Sequence, residues 1–136
     1  MTVKEIKKEI ADLKATDRLH RKVILDIVED SEYYNGNSVE RIRERCEDVA
    51  HGCQTGVVGS LVYYSQTTAF FKKYRKEIES LLVGCLADFG VSSIGELLRD
   101  WDNTDPFARE ISNQNLLAWF AYEEINNRLL SIVEQY

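Results

Sequence analysis

His51 and Cys53 flank Gly52, and a thiol beside an imidazole is the raw material of a nucleophile. Such a thiol needs a base within hydrogen-bond reach, a group that orients the base, and donors for the oxyanion that forms. Gln54, next along the chain, could supply a donor. The spacing works against the pair, because an offset of two faces the side chains apart in either regular structure. Cysteine-protease patterns do not set the histidine beside the thiol, and the other histidine of the chain is His20. The competing reading puts His51 in the last turn of a helix, where a cation or donor suits the carbonyl end, and packs Cys53 as a small hydrophobe. The sequence favours that reading, and no catalytic residue is assigned.

Other constellations fail on spacing. Cys46, His51, Cys53 and Cys85 lack the short-spaced pairs on two arms that structural zinc takes, and Cys46 sits on an inward helical stripe. Asp100, Asp102, Asn103 and Asp105 resemble a calcium loop, yet the required glycine position falls on Asp105 and the closing glutamate on Ile111. Glu123 and Glu124 are adjacent, so on a helix they diverge and cannot face one another as acid and base. No P-loop, GxGxxG, GxSxG or HExxH pattern occurs, and neither a metal nor a cofactor is expected. Asn115, Trp119, Tyr122, Glu123 and Asn126 recur at three- and four-residue spacing. Polar groups beside a tryptophan form either a buried hydrogen-bond network or a recognition surface, and both readings stay open, with the network favoured.

The elements that must position these residues are helical. Val3, Ile6, Ile10 and Leu13 make one apolar stripe, and Thr2 with Glu5 fits a capping box. Thr16-Asp17 suits the cap of a second segment carrying Leu19, Val23, Ile24, Ile27 and Val28; whether residues 2–30 form one helix or two stays open. Tyr34-Asn35-Gly36-Asn37 is turn chemistry. Ser38 caps a helix with Val39, Ile42, Cys46, Val49 and Ala50 inward, and Gly52 is placed to end it. The stretch 56–64 is ambiguous between helix and strand; helix is preferred because a strand would find no partner. Thr67 is expected to cap the next helix, which Gly90 ends, and Ser93 with Glu96 opens another that DWDNTDP breaks. Pro106 suits the start of a short helical turn running to Ile111. Asn113 caps the last helix, whose core face is Leu116, Leu117, Phe120, Ile125, Leu129, Ile132 and Val133. The expected fold is therefore all-α, a compact single-domain bundle of five to seven helices spanning 1–136.

Composition narrows the function classes. A chain of 136 residues that is 44 % hydrophobic and 29 % charged is ordinary for one globular domain. No run approaches the roughly 18 uncharged apolar residues of a membrane span. The charged N-terminus is no secretory signal, and three widely spaced cysteines point to reduced thiols in a cytoplasm. A net charge of −6 disfavours nucleic acid as the main ligand. The basic clusters at 18–22, 41–45 and 72–76 are interleaved with acids and read as solvated helix faces.

Two segments, HGCQTG followed by LVYYSQT and then NLLAWFAYEE, resemble an uncharacterised family of small proteins carried by bacteria, phages and other mobile elements. The resemblance covers roughly residues 50–75 and 113–124 and brings no established activity. It implies a phage or mobile-element accessory protein, and marks as its polar members His51, Gln54, Thr55, Tyr63, Tyr64, Thr67, Asn115, Trp119 and Glu123. These are the candidate binding patch. The functional expectation is a non-enzymatic protein-interaction module that modulates or inhibits a host factor or defence system, in the manner of anti-CRISPR or antirestriction proteins. The alternative is a small-ligand binder or enzyme with a pocket between residues 51–67 and 115–123. A protein partner, or a second copy of the chain, is the expected ligand.

Overall fold

A capping residue stands ahead of four of the helices, and at each the side chain accepts from a backbone amide of the first turn. The computed structural model describes the backbone of residues 2–34, 36, 38–55, 64–104 and 113–135; within these, the side chains of 34, 51–55, 64–68, 100–104 and 113–116 lie outside the described set. The described elements are α1 (Val3–Lys14), α2 (Arg18–Tyr34), α3 (Val39–Thr55), α4 (Tyr64–Cys85), α5 (Ile94–Thr104) and α6 (Asn113–Val133). No strand occurs among the described residues, and the protein is all-α.

Residues 2–30 form two helices. Thr2 and Glu5 close the capping box of α1, with Glu5 N–H donating to Thr2 Oγ1 at 3.2 Å and Thr2 N–H donating to Glu5 Oε2 at 2.9 Å. Asp17 caps α2 by accepting from His20 N–H at 2.8 Å, and Ser38 caps α3 by accepting from Arg41 N–H at 3.2 Å. Ser93 likewise accepts from Glu96 N–H at 3.1 Å at the head of α5. Glu96 departs from the expected box: its carboxylate reaches back to Ser92, accepting from the amide at 3.0 Å and the hydroxyl at 2.6 Å. Those bonds from Ser92 hold the Glu96 carboxyl below the usual carboxylate range.

Two glycines end helices as expected. Gly36, at φ +121°, donates its N–H to Ser31 O, and the Ser31 hydroxyl donates to Gly36 O at 2.7 Å. Gly90, at φ +71°, closes the turn after α4: Gly90 N–H bonds Ala87 O and Val91 N–H bonds Leu86 O, each at 3.1 Å. That pair of bonds is a Schellman motif, which answers carbonyls the helix leaves open.

Two boundaries differ from expectation. Gly52 does not end α3, which runs on to Thr55; mid-helix glycine costs only about 1 kcal/mol, too little to stop a helix by itself. α4 begins at Tyr64, so Thr67 lies inside its first turn and does not cap it. α5 runs to Thr104 and so ends within the DWDNTDP stretch, as expected. The stretch 56–63 and the turn from Pro106 to Ile111 lie outside the described residues.

Contacts group the chain into two units, one of residues 1–60 with 122–136 and one of residues 61–121. In the first, α1 and α3 both pack on α2. Ile6, Leu19, Val23, Ile24, Ile27, Cys46, Val49, Ile125, Leu129 and Val133 fill its interior. Burying side chains of this size stabilises by roughly 2 kcal/mol each, so the apolar stripes and not local propensity hold these helices. In the second unit Phe71, Tyr74, Ile78, Leu82, Leu97, Leu117 and Phe120 are buried, and the Phe89 and Phe120 rings meet at 5.4 Å. α4 bends at Tyr74, whose φ of −115° and ψ of 21° depart from helical values.

Candidate functional site

α6 carries the flank that mixes aromatic and polar residues. Of its expected core positions Leu117, Phe120, Ile125, Leu129 and Val133 are buried while Ile132 is half-buried, and Tyr122 and Asn126 are buried with them. Trp119 and Glu123, one turn apart, are half-buried. Burial raises the Glu123 carboxyl above its ordinary range, and the neighbouring Glu124 carboxylate adds to the effect.

Of the candidate patch, Trp119 and Glu123 have described side chains. His51, Gln54 and Thr55 belong to the last turns of α3, Tyr64 and Thr67 to the first turn of α4, and Asn115 to the first turn of α6. Their side chains, and the whole of Tyr63, lie outside the described residues.

The polar flank does tie α6 to α3, through a residue outside the patch. Asn126 is buried and donates from Nδ2 to the Cys46 carbonyl at 3.0 Å. A carbonyl only accepts, so this contact fixes which end of the amide faces α3. The Cys46 thiol beside it is pushed up to about 12 by burial first and by the Glu47 carboxylate second. A thiol held there is no nucleophile at neutral pH. Cys46 and Cys85 are both buried, and neither is in a disulfide.

A second buried polar group was not singled out from the sequence. His20 lies in the first turn of α2, almost wholly buried, with Nδ1 2.9 Å from Asp17 Oδ1 and Nε2 2.9 Å from Arg128 Nη1. Arginine can only donate, so Nε2 accepts and the ring proton sits on Nδ1, donated to Asp17. Arg128 also reaches Glu124, Nε to Oε1 at 3.4 Å. Burial raises the Asp17 carboxyl, but the backbone and ring bonds from His20 together outweigh it and leave the group lowered. The signal was present: His20, Ile24, Ile27 and Ser31 recur at helical spacing and are all buried, and Asp17 stands three residues before the histidine. Arg128, more than a hundred residues on, had no such signal.

Among the described residues no helix is long and apolar enough to cross a membrane. Neither a curated protein nor a solved structure matches the chain. A family profile does, over residues 3–135, and its description is that of a domain of unknown function. With nearly its whole length matched, this chain belongs to the DUF7222 family.

Proposed function

We propose that the chain is a cytoplasmic, non-enzymatic interaction module that binds a protein partner through the flank of α6 carrying Trp119 and Glu123. The observation that carries this reading is the pairing of a half-buried indole with a half-buried carboxyl one turn away. An aromatic body that is partly covered already, next to an acceptor that gains from a donor, is the composition of an interface anchor. The described histidine and the Cys46 thiol serve packing, which leaves them poor material for catalysis. The resemblance of HGCQTG and NLLAWFAYEE to proteins of phages and mobile elements favours a host factor or defence component as the partner, inhibited or modulated by binding.

The test is affinity capture with the full chain from lysates of several bacterial hosts, repeated with Trp119→Ala and with Glu123→Lys. A stoichiometric partner retained by the wild-type chain and lost from both folded variants is the expected result. Failure to recover any partner, with monomers by light scattering, overturns the proposal. The raised Glu123 carboxyl is the observation that favours the second reading, a ligand site or enzyme using His51 and Cys53. If His51→Ala and Cys53→Ala both remain folded and functional, that reading ends.

A further inference from the structure

The outward side of α2 reads the same from either end once the signs of its charges are exchanged. Arg18, Arg21, Leu25, Glu29 and Glu32 are all exposed, and their steps of three, four, four and three residues set them on one side of the helix. Leu25 stands in the middle, 38 % exposed, with two cations toward the start of α2 and two carboxylates toward its end. Among the described residues Arg21, Glu29 and Glu32 take part in no hydrogen bond or ion pair. On the shoulder of this side Lys22 is answered by Asp26 at 2.9 Å, and Tyr33, one turn past Glu29, is 82 % exposed.

Within one chain the arrangement is unfavourable. The first turn of α2 carries Arg18 and Arg21 and no acid, and the last carries Glu32 and no base. Cations thus stand at the positive end of the helix dipole and a carboxylate at the negative end. Glu29 and Glu32, three residues apart, also repel one another. A helix of the same charge order laid alongside in the opposite direction reverses each of these contacts. The chain's own α2 is such a helix.

We propose that this side of α2 is a self-complementary docking surface, on which a second copy of the chain lays its α2 antiparallel. With the twofold axis at Leu25, Arg21 meets Glu29 of the second copy and Arg18 meets its Glu32, and both pairs recur on the other side of the axis. The two leucines touch at the centre. Such a contact is isologous and closes at a dimer. An unrelated partner requires neither the central leucine nor matching steps on its two sides, which is why the second copy is the occupant. Exposed ion pairs contribute little each, and one helix side covers less than the roughly 800 Å² per partner of a standard interface. The association is therefore weak, reversible and reduced by salt. The surface lies on a different helix from the α6 flank and does not depend on the partner reading above.

Sedimentation equilibrium of the full chain at low salt, from about 10 μM to about 1 mM, is expected to show a monomer passing to a dimer. Arg21→Glu and Glu29→Arg, both at exposed positions, are each expected to weaken the dimer about tenfold, because two symmetric pairs become repulsive. The chain carrying both exchanges regains the pairs in the reversed sense and is expected to dimerise like the wild type. An equimolar mixture of the two single variants is expected to do the same. Circular dichroism of each variant keeps a loss of fold from imitating a loss of association. A wild-type chain that stays monomeric throughout overturns the proposal. So does a dimer that the single variants leave unchanged, or one that the double exchange fails to restore.

Discussion

His20 and Asn126 are both buried in the same unit, and they are satisfied to different degrees. Both ring nitrogens of His20 are engaged, at 2.9 Å each, by a carboxylate and a guanidinium. Asn126 donates to the Cys46 carbonyl at 3.0 Å, but its Oδ1 accepts nothing among the described residues. Burial strips water from both side chains, so the outcome rests on what replaces it. A net hydrogen bond contributes about 1 kcal/mol, more with a charged partner, whereas a stranded acceptor costs about 1–3 kcal/mol. The histidine corner is thus a net stabiliser and the asparagine seam close to neutral. A buried polar group is not in itself a stabilising one.

The largest test of that contrast is His20→Ala. It removes both bonds of the buried ring and leaves a cavity, and should lower the unfolding free energy by about 3 kcal/mol in urea titration. A loss below about 1 kcal/mol would erase the distinction. Gly90→Ala supplies a purely backbone reference for the scale. No atom lies within 4 Å of the added Cβ, so the cost is that of φ +71° alone, about 1 kcal/mol, and Gly90→Asn should recover part of it. Asn126→Leu should change stability by less than about 1 kcal/mol in either direction, since it removes one bond and one stranded acceptor together. If it costs as much as His20→Ala, Oδ1 is answered in solution after all.

The smallest effect sharpens the histidine side of the comparison. Asp17 is lowered in the folded chain, so it adds stability above its unfolded value near 3.9, and this is lost as pH falls through the folded value. Asp17→Asn keeps the cap but not the charge. The gap between wild type and this variant should therefore shrink as pH drops below about 4 in thermal melts, while a gap independent of pH would contradict the assignment.

Much of the architecture was written locally. Thr2 with Glu5, Asp17, Ser38, Ser93, Gly36 and Gly90 each act on backbone groups within five residues of themselves, and the apolar stripes need only a helical repeat to point inward. Boundaries were misread where a local signal was weaker than its surroundings: Gly52 did not stop α3, and Thr67 does not cap α4, which starts at Tyr64. Of the candidate patch, the sequence foresaw that Trp119 and Glu123 share a flank of α6, because four residues make about one turn.

What the sequence alone determined is the inventory of helices, their caps and the faces they bury, since each depends on neighbours a few positions apart. Only tertiary structure decided that Asn126 meets Cys46 across eighty positions and that Arg128 meets His20 across more than a hundred. The reason is that a side chain's local spacing states which face it occupies, not which distant face arrives opposite. That second fact sets burial, hydrogen-bond partners and hence the tautomer of His20, and with it the chemistry the histidine is left able to do.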